Sequence, residues 1–382
     1  MTTTTETLDQ TSIHSETDVN PILENKEDEE IIAEENPSSA TAASPDSIIV
    51  DRRDEFFIAL AKRTTGDDKN HTFLMLGVIQ DGQPTILARV GKTYIKNKLA
   101  KDFLKEKNLK TYVALYSSVL FSRTESILQP ESLSPSGPIS YSAYAINFEH
   151  YKQFLRLLSF MKTEPEFNFY QPIEERGNTI VMERTPTTHE DLSNATPLEQ
   201  SIVERAQYYD RNHNCRESAI ELAEYTQGID HLTDDVSRHF FINLSVTAEF
   251  SKGKPREHFY VFPLPPESFE ANEAKKIRLT RIFQRMENLL KKDPYGENTI
   301  QKFEALKELY YEQAGIPSDD FQEALRSIQR WKENNNNKLI ISQLRAQSFW
   351  GKLGNCLGIN YASSTQKMVD DMENVLSNQL VR

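Results

Sequence analysis

The chain has 382 residues, 38% of them hydrophobic and 10% aromatic, enough for two domains with real cores. Its net charge of −13 is concentrated at one end: residues 1–48 hold twelve acids against the single base Lys26, and the other 334 residues carry about −2. No basic face with interleaved aromatics presents itself to nucleic acid, two cysteines make no disulfide framework, and no apolar run reaches the roughly eighteen residues of a spanning helix.

Residues 1–48, rich in Thr, Ser, Glu and Asp, bury too little apolar surface to offset chain entropy and read as a disordered acidic tail. Their first residues lack the basic and apolar regions of a signal peptide. The folded part is expected to open with a helix over 54–62. Two strands follow, 71–79 and 84–90, joined at Asp81-Gly82, a preferred centre for a two-residue hairpin turn. The pattern then predicts helix over 94–106, one or two short strands over 110–122, a Ser/Pro-rich loop to 138, strand over 140–147, helix over 148–162 and strand over 179–184.

A helix is expected to start at Cys215 and close at Gly228, with further helix over 234–243 and strand over 257–262. The proline cluster Pro263, Pro265 and Pro266 marks a boundary. Beyond it the spacing is helical over 271–292, 299–314, 319–334, 338–349 and 365–379. The reading is an α+β domain over 49–266 and a helical domain over 267–382, after a tail over 1–48.

The chemistry centres on Cys215. At a helix N-terminus, free N–H groups and the positive end of the helix dipole favour thiolate over thiol, and nearby N–H groups can receive an oxyanion. Asn214 can equally be the cap of that helix, with Cys215 its first residue. A thiol enzyme needs a His to take the proton, and His71 opens an expected buried strand where a side chain can face a cleft. With Asp81-Gly82 as the turn, His71 is expected to share its face with Phe73, Met75, Gly77, Ile86, Ala88, Val90 and Lys92. Arg89 is then expected on the opposite face.

No phosphate loop, dinucleotide fingerprint, His-Glu-x-x-His or Gly-x-Ser-x-Gly is present, and the sequence names no cofactor. The set His213, Cys215, His231 and His239 matches no zinc-finger spacing and holds one thiol, so no metal site is expected. Cys356, in a glycine-bounded turn, reads as packing.

The order of a strand beginning at His71 and a helix beginning at Asn214-Cys215 resembles the circularly permuted branch of the papain-like fold. That branch includes lecithin:retinol acyltransferase-like enzymes and desumoylating isopeptidases. The blocks 87–93, 214–216 and 259–266 and the helical tail are similar to effectors delivered by the Dot/Icm type IV system of Legionella and related bacteria. The resemblance implies a thiol-dependent hydrolase or acyl transferase, delivered from the bacterial cytoplasm into a host cell and acting on a host protein. Cys215 would be the nucleophile, His71 the base, and Asn214 an aid to the loop. The alternative it leaves open is an inactive effector whose domains bind host proteins.

Overall fold

In the computed structural model, residues 47–63, 71–94, 118–121, 138–163, 168–208, 213–228, 244, 246–251, 254–342 and 363–380 are described. The first expected helix is instead strand β2 (Glu55–Arg63), at the middle of a seven-stranded sheet. Phe56, Ile58 and Leu60 point to one face and Phe57, Ala59 and Ala61 to the other, all buried. A strand covered on both faces reads as a continuous apolar run, and such a run satisfies helical spacing as readily as strand spacing.

The sheet order is β10-β9-β6-β2-β3-β4-β5, with β3 Thr72–Gln80, β4 Gln83–Tyr94, β5 Ser118–Phe121, β6 Pro138–Ile146, β9 Val246–Ser251 and β10 Lys254–Pro255. Every pairing in it is antiparallel. The β3–β4 hairpin turns on Asp81 (φ 50°) and Gly82 (φ 72°), the doubly left-handed turn that Asp-Gly favours. One irregularity interrupts its ladder. Leu76 pairs with Ala88 and Gly77 with Ile86, so Leu87 is an extra residue in β4.

On one face lie helices α1 (Phe148–Ser159), α2 (Pro197–Ala206) and α3 (Cys215–Gln227). They share a hydrophobic cluster with Leu74, Leu76, Val78 and Val90 of the sheet. A smaller antiparallel sheet, β1 (Ser47–Asp51), β8 (Thr179–Pro186) and β7 (Asn168–Arg176), joins that cluster through Val50, Ile180 and Met182. The three helices meet at Glu199, which is 1% exposed. Its carboxylate accepts from Tyr225 Oη of α3 at 2.6 Å, Arg156 Nε of α1 at 3.0 Å and the Thr196 N–H at 2.6 Å, the last closing a capping box at the start of α2. Burial alone would raise its pKa, but these bonds outweigh it and hold the group at about 2.

On the other face lie α4 (Glu273–Leu290), α5 (Glu297–Gly315), α6 (Phe321–Glu333), α7 (Asn335–Ser342) and α8 (Ser364–Leu380). One hydrophobic cluster joins Phe57, Phe73 and Met75 to Leu279, Phe303, Trp331 and Met372. The strand expected over 257–262 is an extended segment with a single parallel bridge to β6, Tyr144 to Phe262, ended by Pro263. Its aromatic rings join sheet to helices: Phe259 stacks on Tyr141 at 4.4 Å, and Phe262 meets Phe283 at 5.4 Å and Phe303 at 5.3 Å. Lys307 of α5 pairs with Glu55 of β2 at 2.6 Å.

The molecule is thus mixed α/β, with antiparallel sheets and a carboxy-terminal helical region. No helix among the described residues is long and apolar enough to cross a membrane. The helix expected over 94–106 and the loop over 126–138 touch the described residues only at Tyr94 and Pro138, which belong to β4 and β6; the tail up to residue 46, the rest of that helix and loop, the helix over 234–243, His231, His239 and Cys356 lie outside the described residues. The tail reading ended two residues late, because β1 begins at Ser47 and pairs with Glu183.

Candidate functional site

His71 sits at the mouth of β3, its backbone oxygen accepting from the Arg63 N–H at 3.1 Å. Its imidazole lies nearly parallel to the Phe73 ring, 6.1 Å between centroids. Phe73 belongs to the cluster that faces α4 to α8, so the imidazole stands on that side of the sheet. Arg89 stands there too, its guanidinium carbon 4.3 Å from the centre of the Phe73 ring and its backbone opposite Met75. This corrects the expected face. Counting a regular ladder back from the turn puts Ala88, Val90 and Lys92 beside His71, but the extra Leu87 inverts the alternation and puts Arg89 there.

Among the described residues, two guanidinium groups bear on the imidazole. Burial first, then Arg89 and Arg63, lower the His71 pKa from 6.5 to about 4. At neutral pH it is uncharged, and accepting a proton would add a third cation to the cluster. A base that must hold a proton in mid-reaction is served by a carboxylate or carbonyl behind it, and these neighbours work against it.

Cys215 is the first residue of α3 and half-buried. The capping reading of Asn214 is the one found. Its Oδ1 accepts from the N–H groups of Arg216 at 2.9 Å and Glu217 at 3.2 Å, while its backbone oxygen accepts from Ser218 at 3.1 Å. Gly228, in the left-handed conformation at φ 64°, closes the helix as expected. Two of the amides that could have received an oxyanion are thereby occupied by the cap.

Replacing Asn214 by alanine is expected to cost about 1 kcal/mol, measured by urea unfolding. A loss above about 3 kcal/mol would assign Asn214 more than a cap.

Helix α3 packs on the face of Leu74, Leu76 and Val78, opposite to that of Phe73 and His71. Both residues lie at the same end of the sheet. Gly91 pairs with Phe73, and the next residue, Lys92, reaches the start of α3. The Phe73 ring on which His71 stacks and the helix that Cys215 begins thus pack on opposite faces of the sheet.

What does meet α3 is Lys92, which sequence reading had placed on the wrong face. It is 2% exposed, and its ammonium donates to the backbone oxygens of Arg205 at 3.2 Å and His213 at 2.8 Å and to Ser218 Oγ at 3.0 Å. The contact joins the end of α2 and the loop before Cys215 to β4. The bulge that turned Arg89 toward His71 turned Lys92 toward Cys215.

No family model, curated protein or solved structure matches this chain. Among the described residues, no three of His, Cys, Asp and Glu are grouped so as to hold a metal ion. Arg216 pairs with the adjacent Glu217 at 2.8 Å. The head of α3 is a capped helix held by a buried ammonium.

Proposed function

We propose that the chain is a binding protein, an effector on a permuted papain-like scaffold that engages host proteins without thiol catalysis. The observation that carries this reading is that His71 stacks on Phe73, in the cluster on one face of the central sheet, while α3, which Cys215 begins, packs in the cluster on the other. Two features add to it: the guanidinium groups around His71 disfavour the protonated base, and Asn214 occupies amides that an oxyanion would need. The layer α4 to α8 supplies amphipathic helices with exposed apolar residues such as Leu339, suited to contact with another protein.

The test is alkylation of the intact chain by iodoacetamide, following Cys215 and Cys356 separately by peptide mass. Slow labelling of Cys215, unchanged in His71→Gln, is expected. Labelling of Cys215 faster than Cys356 by roughly tenfold or more, and slowed by His71→Gln, would establish an activated thiol and the hydrolase or acyl transferase instead. Delivery into host cells is tested separately by removing the last thirty or so residues. Undiminished translocation would show that the residues removed carry no delivery signal.

A further inference from the structure

Helix α4 carries a row of cations, and the innermost has no hydrogen-bond partner among the described residues. Arg278 is 4% exposed, and none of its three guanidinium nitrogens has a hydrogen-bond partner. Two other buried cations have acceptors. Lys275, one turn earlier, donates to the backbone oxygens of Ala314 and Ile316 at 2.7 Å each, and Lys92 has the three partners described above. A guanidinium held out of water without an acceptor is costly, and a sequence that only needed to fill this space could use Leu or Met.

The side chain lines a small cavity between α4 and α8, of about 60 Å³, together with Ile277, Arg281, Met372 and Leu376. The cavity is about the size of one compact polar group. Arg281 and Val375 also line a wider groove of about 620 Å³, which continues along the same two helices past Arg285, Lys367 and Asp371. Arg278, Arg281 and Arg285 are spaced three and four residues apart and so share one helix face. Arg285 Nε donates to Thr365 Oγ1 of α8 at 3.0 Å, which fixes the outer end of the row.

Two acids of α8 are engaged elsewhere. Asp370 and Glu373 turn to Lys332 of α6, at 2.6 Å and 2.5 Å, leaving Asp371 as the one acid lining the groove. Ile277 and Val375, 46% and 43% exposed, border the opening and offer apolar contact to whatever is attached to the bound group.

We propose that Arg278, Arg281 and Arg285 form a binding site for a phosphoryl group, with Arg278 as its floor. A planar fork donates two parallel N–H bonds to two oxygens of one anion, and the forks of Arg278 and Arg281, with Arg285 beside them, suit a dianion with three accepting oxygens. A single carboxylate would leave most of that charge uncompensated. The site shares no residue with the head of α3, so it stands or falls apart from the reading of Cys215.

The experiment uses the intact chain, inorganic phosphate as probe, and chloride at matched ionic strength as control. Wild type is expected to melt at rising temperature as phosphate is added, following mass action. Arg278→Met is expected to melt a few degrees higher than wild type without phosphate, because a buried unpaired charge is gone, and to lose the specific response. Arg281→Gln, at an exposed position, is expected to keep the fold and weaken apparent affinity by about tenfold. Equal phosphate responses in all three proteins would overturn the site, as would Arg278→Met melting below wild type while Arg281→Gln binds normally.

Sedimentation with vesicles of phosphatidylcholine mixed with phosphatidate identifies the source. Arg278-dependent sedimentation assigns the phosphoryl group to a lipid. A response to phosphate without sedimentation assigns it to a soluble ligand.

Discussion

Gly77→Ala is expected to lower stability by about 3 kcal/mol. A Cβ at this position would lie 2.4 Å from the Thr85 carbonyl oxygen and 2.5 Å from the Phe57 ring. Neither can retreat. The carbonyl belongs to the partner strand of the hairpin, and Phe57 is 0% exposed, packed against Phe259 at 4.9 Å. Protein interiors are packed closely enough that one methyl group in such a place moves backbone or ring. Gly77 also stands at the register shift, so relief by sliding the strand would turn Phe73 and Met75 toward the wrong layer. Urea unfolding with an unchanged m value measures the loss, and a cost below about 1 kcal/mol would mean that the ladder yields here.

Glu199→Gln is expected to cost about 3 kcal/mol at neutral pH, and the cost is expected to vanish in acid. The carboxyl titrates at about 2 in the fold against an ordinary value of 4.5, so ionisation favours the native state. For a lowered carboxyl pKa the contribution is complete above about 4.5 and is lost as pH falls toward 2. Wild type and variant should therefore converge between those values. His71 acts in an adjacent window. Its pKa, lowered from 6.5 to about 4, also makes stability fall with pH across that interval, because the unfolded chain takes up the proton first. Glu199→Gln should leave that higher step intact, and His71→Gln should remove it alone. Parallel pH profiles for wild type and Glu199→Gln would show that the carboxylate is not the group that Tyr225, Arg156 and Thr196 stabilise.

Where local chemistry decides, the sequence was legible. Asp81-Gly82 names its own turn, and Asn214 and Gly228 name the two ends of α3, because each demand is met by the residue itself. The start of α2 was equally written, as Thr196, Pro197 and Glu199 in capping-box order, yet it passed unread. Strand β7 was missed for a different reason. Its Gln171-Pro-Ile-Glu-Glu-Arg176 stretch belongs to an edge strand with an irregular register at Pro172, and such a strand shows little alternation. The helical reading of 54–62 failed because a strand buried on both faces has no polar period to display.

The candidate site turns on a finer level of structure than the elements that carry it. Cys215, Asn214 and His71 were each placed on the right kind of element, a helix start or a strand mouth. Their mutual geometry depended on which side of β4 each residue took, and period-two counting holds only while both strands of a ladder advance together. Nothing in Leu87 marks it as the residue left over. A leucine fits either side of a sheet covered on both faces, and it is buried here like its neighbours.

That single unmatched residue makes strand length, more than residue identity, the variable that distributes charge in this molecule. Upstream of it the hairpin keeps ordinary parity; downstream, a guanidinium is delivered to one compartment and an ammonium to the other. Removing one residue from β4 near this point would exchange the two cations while leaving every side chain chemically intact. A relative of this chain differing by one residue there could carry the same His, Arg, Lys and Cys and house a different chemistry.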